Sequence, residues 1–159
     1  MALRMAFEGF DDPDAKFFRA LAKNQNKDWF QAHKTEFEEG WHAPMKALLG
    51  EVREAVDSAF PHVDLDEPKI FRIYRDVRFS KDKSPYKTHL GGLVDGFYVG
   101  LDASGVTCAG GFSAQAADQL ARYRAAVTAP APGQVLEKVL ADLKTKGHTG
   151  FITLVSPSP

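Results

Sequence analysis

The chain has 159 residues and a formal net charge of −1, with 20 Lys and Arg against 21 Asp and Glu. The length suits one domain with a real core, and the charge does not favour a protein that coats nucleic acid through its overall field. Cys108 is the only cysteine, which excludes an internal disulfide. Because no apolar run approaches the roughly 20 residues of a membrane span and no signal-peptide pattern is present, we expect a cytoplasmic protein without membrane association.

The first 60 residues predict three helices. Residues 11–13, Asp-Asp-Pro, are typical of a helix start, and the polar residues 24–26 end that helix. Asp28 can cap the second helix, on which four rings recur every four residues: Trp29, His33, Phe37 and Trp41. Pro44 is well placed to open the third helix. We interpret the aromatic ridge as core and His33 as a core or boundary residue.

In the middle of the chain the pattern changes to a two-residue repeat. Apolar and polar side chains alternate over residues 70–79, which is typical of a half-buried strand. A second strand region covers residues 90–101 and is broken by Gly91-Gly92 and by Asp95-Gly96. Residues 102–105 predict a hairpin turn that leads to a strand at 106–109. The middle of the chain is therefore predicted to be an antiparallel sheet of strands that are neighbours in sequence.

Two more helices are predicted after the sheet. Residues 110–113, Gly-Gly-Phe-Ser, lead into the fourth helix, and Ser113 is its expected N-cap. Pro130 and Pro132 are expected to form a linker to the fifth helix, which Gly147 closes. Helices, then strands, then helices indicate an α+β fold, with residues 1–159 in a single domain.

Positive charge is concentrated in residues 69–89. This segment has only two acids, Asp76 and Asp82, so the rest of the chain carries 13 basic against 19 acidic residues. Its seven basic residues are Lys69, Arg72, Arg75, Arg78, Lys81, Lys83 and Lys87. Planar guanidinium groups and mobile ammonium groups are both suited to binding oxyanions. The segment therefore predicts an anion-binding site.

Arg75 is the most informative residue of this segment. In a regular strand it shares a face with four residues that are expected to be buried: Phe71, Ile73, Val77 and Phe79. A lone buried charge costs several kcal/mol unless it is paired and hydrogen-bonded. Unless a bulge turns Arg75 outward, two interpretations stay open. In the first, the partner of Arg75 is an anionic ligand. In the second, its partner is an internal acid such as Asp28, Glu36 or Asp95.

The basic stretch Arg72-Ile-Tyr-Arg-Asp-Val-Arg-Phe-Ser-Lys-Asp-Lys-Ser-Pro-Tyr-Lys87 resembles the Domain of Unknown Function 2461 family. Shorter stretches that also resemble this family are residues 7–10, 26–30, 96–99 and 110–112. The resemblance covers roughly residues 7–146. It implies a one-domain α+β fold and does not imply a particular reaction. Family members usually continue into a further basic, proline-containing segment, so we expect residues 147–159 to be an atypical tail, truncated or altered.

The leading hypothesis is a pocket for a small anionic group, either phosphate or carboxylate. The residues expected to hold the anion are Arg75, Arg78, Lys83 and Lys87, with Tyr86 to orient it and the backbone of Gly110 and Gly111 as further donors. The sequence leaves open whether the protein is an enzyme. If it is one, these groups stabilise phosphoryl or acyl transfer, and Asp76 or His89 carries the proton.

Two alternatives to this pocket stay open. In the first alternative, the same basic face binds RNA or an acidic protein without catalysis, although the net charge does not favour nucleic acid. In the second, the basic segment only neutralises internal acids. The five histidines are scattered and no glycine-rich phosphate motif occurs, so we predict no metal and no cofactor. Cys108 is expected to be a buried, inert thiol. The sequence indicates no oligomeric state.

Overall fold

A computed structural model of the chain describes residues 6–111 and 116–147. By its internal contacts the chain divides into two compact units, Met1–Phe112 and Ser113–Pro159. The helices of the first unit are α1 (Lys16–Lys23), α2 (Lys27–Ala32), α3 (Lys34–Phe37) and, after a π-helical turn (Glu38–His42), α4 (Ala43–Ala59). Its strands are β1 (Lys69–Ile70), β2 (His89–Val94), β3 (Phe97–Asp102) and β4 (Gly105–Gly110). Helices α5 (Ala117–Thr128) and α6 (Pro130–Thr145) form the second unit.

This order of elements confirms the predicted α+β class, with helices before and after a central antiparallel sheet. The organisation of residues 1–159 as a single domain stays a prediction. Among the described residues, no helix combines the length and the apolar character that crossing a membrane requires.

Polar side chains accept the free N–H groups at the start of the first two helices. Asp12 accepts a hydrogen bond from the N–H of Phe17 at 2.9 Å. Asn26 accepts one from the N–H of Trp29 at 2.9 Å and is therefore the N-cap of α2, in place of the expected Asp28. Asn26 has the extended backbone that an N-cap requires, whereas Asp28 already lies in the first turn of the helix.

The four rings expected on one helix are divided between α2, α3 and the π-helical turn. Phe37 and Trp41 are buried in the core, as predicted. Trp29 and His33 are partly exposed and stack on each other, with ring centroids 3.9 Å apart. The Nδ1 atom of His33 lies 2.8 Å from the carbonyl oxygen of Trp29. His33 is thus a boundary residue with its own hydrogen-bond partner.

The sheet has the strand order β1-β2-β3-β4, and each pair of neighbours is antiparallel. The predicted hairpin at residues 102–105 is confirmed, because Asp102 pairs with Gly105 across a two-residue turn. Gly105 has a φ of 133°, which favours glycine. The strand region predicted over residues 90–101 is a second hairpin, and its turn lies at the predicted break, Asp95 and Gly96.

The two faces of the sheet differ in what covers them. On the inner face, Leu49 of α4 lies so close to Gly92 that a Cβ there would clash with it. On the outer face, the ring of Tyr98 lies across Gly91 and Gly100 and leaves no space for a Cβ at either. The sequence predicted that Gly91 and Gly92 break the strand, but β2 runs through both residues. Their missing side chains leave space for Tyr98 and Leu49 to pack directly against the backbone of β2.

The core of the first unit lies between its helices and the inner face of β2 and β3. Its most deeply buried side chains are Phe17, Phe18, Leu21, Phe30, Met45, Leu49, Leu90 and Val94. Burying a side chain of this size contributes roughly 1.5–3 kcal/mol, so this cluster supplies much of the driving force for folding. The core also gives α1 and the start of β2 a rigid support.

Strand β1 is much shorter than the predicted strand at residues 70–79. The N–H of Phe71 still donates to the carbonyl of Gly91 at 2.8 Å, and the chain then leaves the edge of β2. Phe79, expected to be buried, has 96% of its surface exposed. A two-residue repeat predicts a strand only where a neighbouring strand pairs with it. Among the described residues, only short stretches of 70–79 have such a neighbour.

The second unit has one feature that the sequence predicted and one that it did not. Gly147, with a φ of 80°, follows α6 as expected. Pro130 and Pro132 lie in the first turn of α6 and not in a linker, because the N–H groups there need no helical partner. No side chain of α5 or α6 is buried. The N-cap expected at Ser113 and the apolar run after Gly150 lie outside the described residues.

Candidate functional site

Arg75 and Lys87 are brought together by a short antiparallel pairing. The N–H of Arg75 donates to the carbonyl of Pro85 at 2.8 Å, and the N–H of Lys87 donates to the carbonyl of Ile73 at 2.7 Å. Because Pro85 has no N–H of its own, the pairing does not extend into a regular ladder. Residues 76–84 form the loop that connects its two sides.

Next to this pairing the structure forms a cavity of about 410 Å³, here called the cationic cavity. Its walls come from the end of α1, the 76–84 loop and the start of β2. Four residues that the sequence predicted for the site line it: Arg75, Tyr86, Lys87 and His89. The volume lies in the range of small-molecule sites, roughly 300–1,000 Å³.

The guanidinium of Arg75 forms an ion pair with the carboxylate of Asp82, which also lines the cationic cavity. Asp82 accepts hydrogen bonds from the hydroxyl of Ser84 at 2.6 Å and from the N–H of Ser84 at 2.9 Å. The Ser84 hydroxyl, and then Arg75, hold the pKa of Asp82 far below its ordinary value. Asp82 is therefore ionised at neutral pH. The internal acid that pairs with Arg75 comes from the neighbouring loop, and not from Asp28, Glu36 or Asp95.

Lys87 has no carboxylate within ion-pair distance among the described residues. Its ammonium lies 5.8 Å from the centre of the Phe71 ring, where it makes a cation–π contact. The side chain is partly buried and lines the same cavity as Arg75. A cation that is not neutralised by a neighbouring acid can bind an anion without first breaking an ion pair.

Tyr86 is buried and connects the cavity to the core. Its ring stacks on Phe30 with centroids 4.5 Å apart, and its N–H donates to the side chain of Gln25 at 3.0 Å. Burial, together with the neighbouring Tyr74 and Asp28, raises the pKa of Tyr86. The phenol is thus neutral at physiological pH and has a fixed position, which suits a group that orients a ligand.

His89 opens β2 and lines the cationic cavity, in cross-strand register with Asp102. Partial burial and the charge of Lys87 lower the pKa of His89, while Asp102 acts in the opposite direction. The imidazole is consequently neutral at pH 7. Of the two predicted proton carriers, His89 lies at the cavity. Asp76 lies outside its lining and is bound to Arg78.

Two predicted cations of the basic segment do not line the cavity. Arg78 donates to both carboxylate oxygens of Asp76, from Nη2 at 2.6 Å and from Nε at 3.0 Å, on the exposed side of the loop. Lys83 donates to the carbonyl of Val77 at 2.9 Å. Both side chains hold the loop in shape. The structure thus places Arg78 and Lys83 apart from Arg75 and Lys87, in the outer part of the same loop.

The glycines predicted as backbone donors lie at the end of β4. Gly110 pairs with Phe97, and the N–H of Gly111 donates to the carbonyl of Gly96 at 2.9 Å. Neither glycine lines the cationic cavity. The helix start that they were expected to precede includes residues 112–115, which lie outside the described residues.

Five lining residues are absent from the predicted site: Ala22, Gln25, Asp82, Ser84 and Thr88. The order Asp-x-Ser-Pro at residues 82–85 is a turn signal that could have identified two of them, since an Asp side chain often caps the N–H two residues later. Gln25 carries no comparable signal. It meets Tyr86 only through the tertiary fold, 61 positions further along the chain.

Within residues 6–111 and 116–147, no cluster of three or more His, Cys, Asp or Glu side chains could hold a metal ion. Cys108 lies on β4 and is exposed, so the prediction of a buried thiol was wrong. β4 is an edge strand of the sheet and all six of its residues are exposed, so a strand position does not bury the thiol here.

The described residues define an α+β protein in which amino-terminal helices and an antiparallel sheet frame a small cavity with two cationic side chains. The chain belongs to the family described as conserved hypothetical protein (DUF2461), whose model matches residues 14–154. This match confirms the resemblance carried by the basic stretch. No curated protein and no solved structure matches the chain significantly.

Proposed function

We propose that this protein binds a small anion, with a phosphate or carboxylate group, in the cationic cavity. The observation that carries the proposal is that Arg75 and Lys87, twelve residues apart, line the same cavity. A functional basic strip for a large partner would instead spread its cations over a flat surface. A guanidinium and an ammonium in one concave site are typical of oxyanion binding.

Asp82 supports the proposal by the position that it occupies. Its carboxylate contacts the Arg75 guanidinium inside the cavity, as a ligand carboxylate or phosphate would. Asp82 belongs to the 76–84 loop. Apart from Arg75, its described hydrogen-bond partner is Ser84 of the same loop, which donates to it twice. An incoming anion would therefore replace Asp82 on Arg75, and Lys87 would supply the additional attraction.

If the bound anion reacts, His89 is the group best placed to carry a proton. It is neutral near pH 7 because its pKa is lowered, so it can accept a proton there. Tyr86, held in place by its stacking on Phe30, would form a fixed wall that orients the ligand. We also propose a cytoplasmic location, which is supported by the exposed, unpaired thiol of Cys108.

A second candidate function is binding of single-stranded RNA, and one observation favours it. On the outer face of the sheet, the rings of Phe71 and Tyr98 lie 6.3 Å apart at 28°, with the ammonium of Lys87 above Phe71. Partly exposed aromatic rings beside a cation can stack with bases. The net charge of −1 argues against this alternative.

Calorimetric titration with inorganic phosphate, sulfate and acetate tests the anion proposal. We expect Arg75→Ala and Lys87→Ala each to weaken phosphate binding about tenfold or more, because a charge-assisted hydrogen bond contributes roughly 1.5–3 kcal/mol. Arg78→Ala and Lys81→Ala are the matched controls, since they remove the same charges outside the cavity lining. A thermal-shift assay provides a second readout, because phosphate at 100 times its Kd adds about 2.7 kcal/mol of stability.

Equal losses in all four variants would overturn the cavity assignment and indicate only a general effect of charge. Titration with a single-stranded oligoribonucleotide distinguishes the second candidate. Its affinity should fall steeply as salt rises, by counterion release from several phosphates, and Phe71→Ala should weaken it. Phosphate binding in the cavity should respond less to Phe71→Ala than to Lys87→Ala, since Phe71 itself does not line the cavity.

A further inference from the structure

A second cavity, of about 650 Å³, adjoins the cationic cavity. It lies between the exposed side of α1 and the turn that connects β3 to β4. Ala22 and Thr88 line both cavities, so the two are adjacent, and together they are here called the groove. The cross-strand pair His89 and Asp102 also spans the groove, with His89 at the first cavity and Asp102 at the second.

The second cavity combines an apolar wall with polar groups. Phe18, Ala22 and Ala103 contribute apolar surface, while Asp102 and Ser104 offer oxygen atoms. The Ser104 hydroxyl donates to Asp102 and, as the main cause, lowers the pKa of Asp102, which is therefore an ionised acceptor at neutral pH. Such a surface suits an organic body that carries both carbon faces and hydroxyl groups.

The groove also has the charge that a phosphate ester requires. Arg19 lines the second cavity and is held against the turn, because its guanidinium donates to the carbonyl of Ala103 at 3.0 Å. Lys23 lines the same cavity and has no ion-pair partner among the described residues. With Arg75 and Lys87 at the other end, cations outnumber the carboxylates Asp82 and Asp102. This excess matches a dianion better than a monoanion.

We infer that the ligand is an organic phosphomonoester whose body has the size of a nucleoside or a sugar. Its phosphate would lie between Arg75 and Lys87, and its body would extend past Ala22 and Thr88 into the second cavity. The inference rests on the proposed anion site and adds the class of ligand. A bare phosphate, only a few times the roughly 30 Å³ of a water molecule, would leave most of the groove empty.

The experiment compares inorganic phosphate, glucose 6-phosphate, adenosine 5′-monophosphate and adenosine by calorimetric titration. We expect at least one of the two phosphomonoesters to bind about tenfold or more tightly than inorganic phosphate, because its body adds contacts that phosphate lacks. Ala103→Trp fills the second cavity from its turn and should remove this advantage while leaving the Kd for inorganic phosphate unchanged. Ala109→Trp, on exposed β4 and outside both cavities, is the matched control.

The outcomes separate the two proposals. If neither inorganic phosphate nor a phosphomonoester binds, the anion site itself is wrong. If inorganic phosphate binds as tightly as both phosphomonoesters and Ala103→Trp changes nothing, the anion site stands and the inference is overturned. Ala22→Met, which narrows the junction between the cavities from a helix position that tolerates Met, gives a second variant should Ala103→Trp not fold. Because Ala22 lines both cavities, this variant should weaken phosphomonoester binding by a larger factor than the binding of inorganic phosphate.

Discussion

Asp82 and Arg75 form an ion pair inside the cavity that is proposed to bind an anion. Arg75 lies at the base of the 76–84 loop and Asp82 lies within it, so this ion pair joins residues that are close in sequence. Because Asp82 is ionised at neutral pH, it competes with any anion for the guanidinium. To bind Arg75, a ligand must therefore interact with the guanidinium more favourably than Asp82 does.

The first prediction is that Asp82→Asn strengthens anion binding. Asparagine removes the competing charge and retains the side-chain oxygen that accepts from Ser84. We expect the Kd for sulfate to fall about two- to fivefold, the range for loss of one exposed ion pair as competitor. Calorimetric titration at fixed ionic strength measures the change.

Asp76→Asn is the control for this prediction. It removes the other carboxylate of the loop, which binds Arg78 outside the cavity lining, and changes the net charge by the same amount. Sulfate affinity should change less in Asp76→Asn than in Asp82→Asn. Equal gains in both variants would mean that Asp82 does not occupy the ligand position.

The second prediction concerns pH and His89. The folded protein lowers the pKa of His89 below its ordinary value of 6.5, so the unfolded chain binds more protons just below that pH. The stability that this residue contributes is fully present above pH 6.5 and is lost as the pH falls toward the folded-state pKa. We expect His89→Gln to reduce the fall in unfolding free energy between about pH 7 and about pH 5, as measured by denaturant titration.

NMR titration of the His89 imidazole tests the cause of this shift. Lys87→Ala removes a neighbouring positive charge and should raise the pKa of His89 toward its ordinary value, whereas Asp102→Asn should lower it further. Shifts in the same direction would contradict the assignment. Sulfate, which stays a dianion in this range, should bind more tightly as His89 becomes protonated.

The third prediction concerns the close approach of α4 to the sheet. Gly92→Ala places a methyl group against Leu49, and we expect a loss of about 1–3 kcal/mol of stability because a packed core accommodates added volume poorly. Gly50→Ala, next to Leu49 on α4, meets no atom within 4 Å and should instead stabilise the helix by about 0.5–1 kcal/mol. Urea denaturation of both variants measures these opposite effects, and a neutral Gly92→Ala would show that α4 can move away.

Local signals in the sequence were sufficient for the class of fold and for the turns. The apolar repeat of the amino-terminal helices identified Phe37 and Trp41 as core residues, and the turn at residues 102–105 was predicted with its two strands. Both depend on side chains within a few positions of one another. Secondary structure of this kind is set by short-range periodicity and by the backbone preference of glycine.

In the basic segment, local sequence signals were not sufficient to predict the structure. Its alternating pattern predicted one long strand with Phe79 in the core, but the chain leaves β2 after Phe71 and Phe79 is exposed. Whether an alternating segment becomes a strand depends on a partner elsewhere in the chain, and the pattern carries no information about that partner. A helix cap depends on neighbouring residues, so the predicted cap of α2 was wrong by only two residues. The predicted strand depended on a distant partner and was too long by most of its length.

By itself the sequence determined the family, the order of helices and strands, and the residues in which positive charge is concentrated. Only the tertiary structure decided which of those charges meet. Pairing of residues 73–75 with residues 85–87 brought Lys87 to Arg75, the loop holds Arg78 and Lys83 away from the cavity lining, and Gln25 joined the site from the turn after α1. Such convergence follows from packing and hydrogen bonding between segments distant in sequence, and residue spacing alone does not encode these contacts.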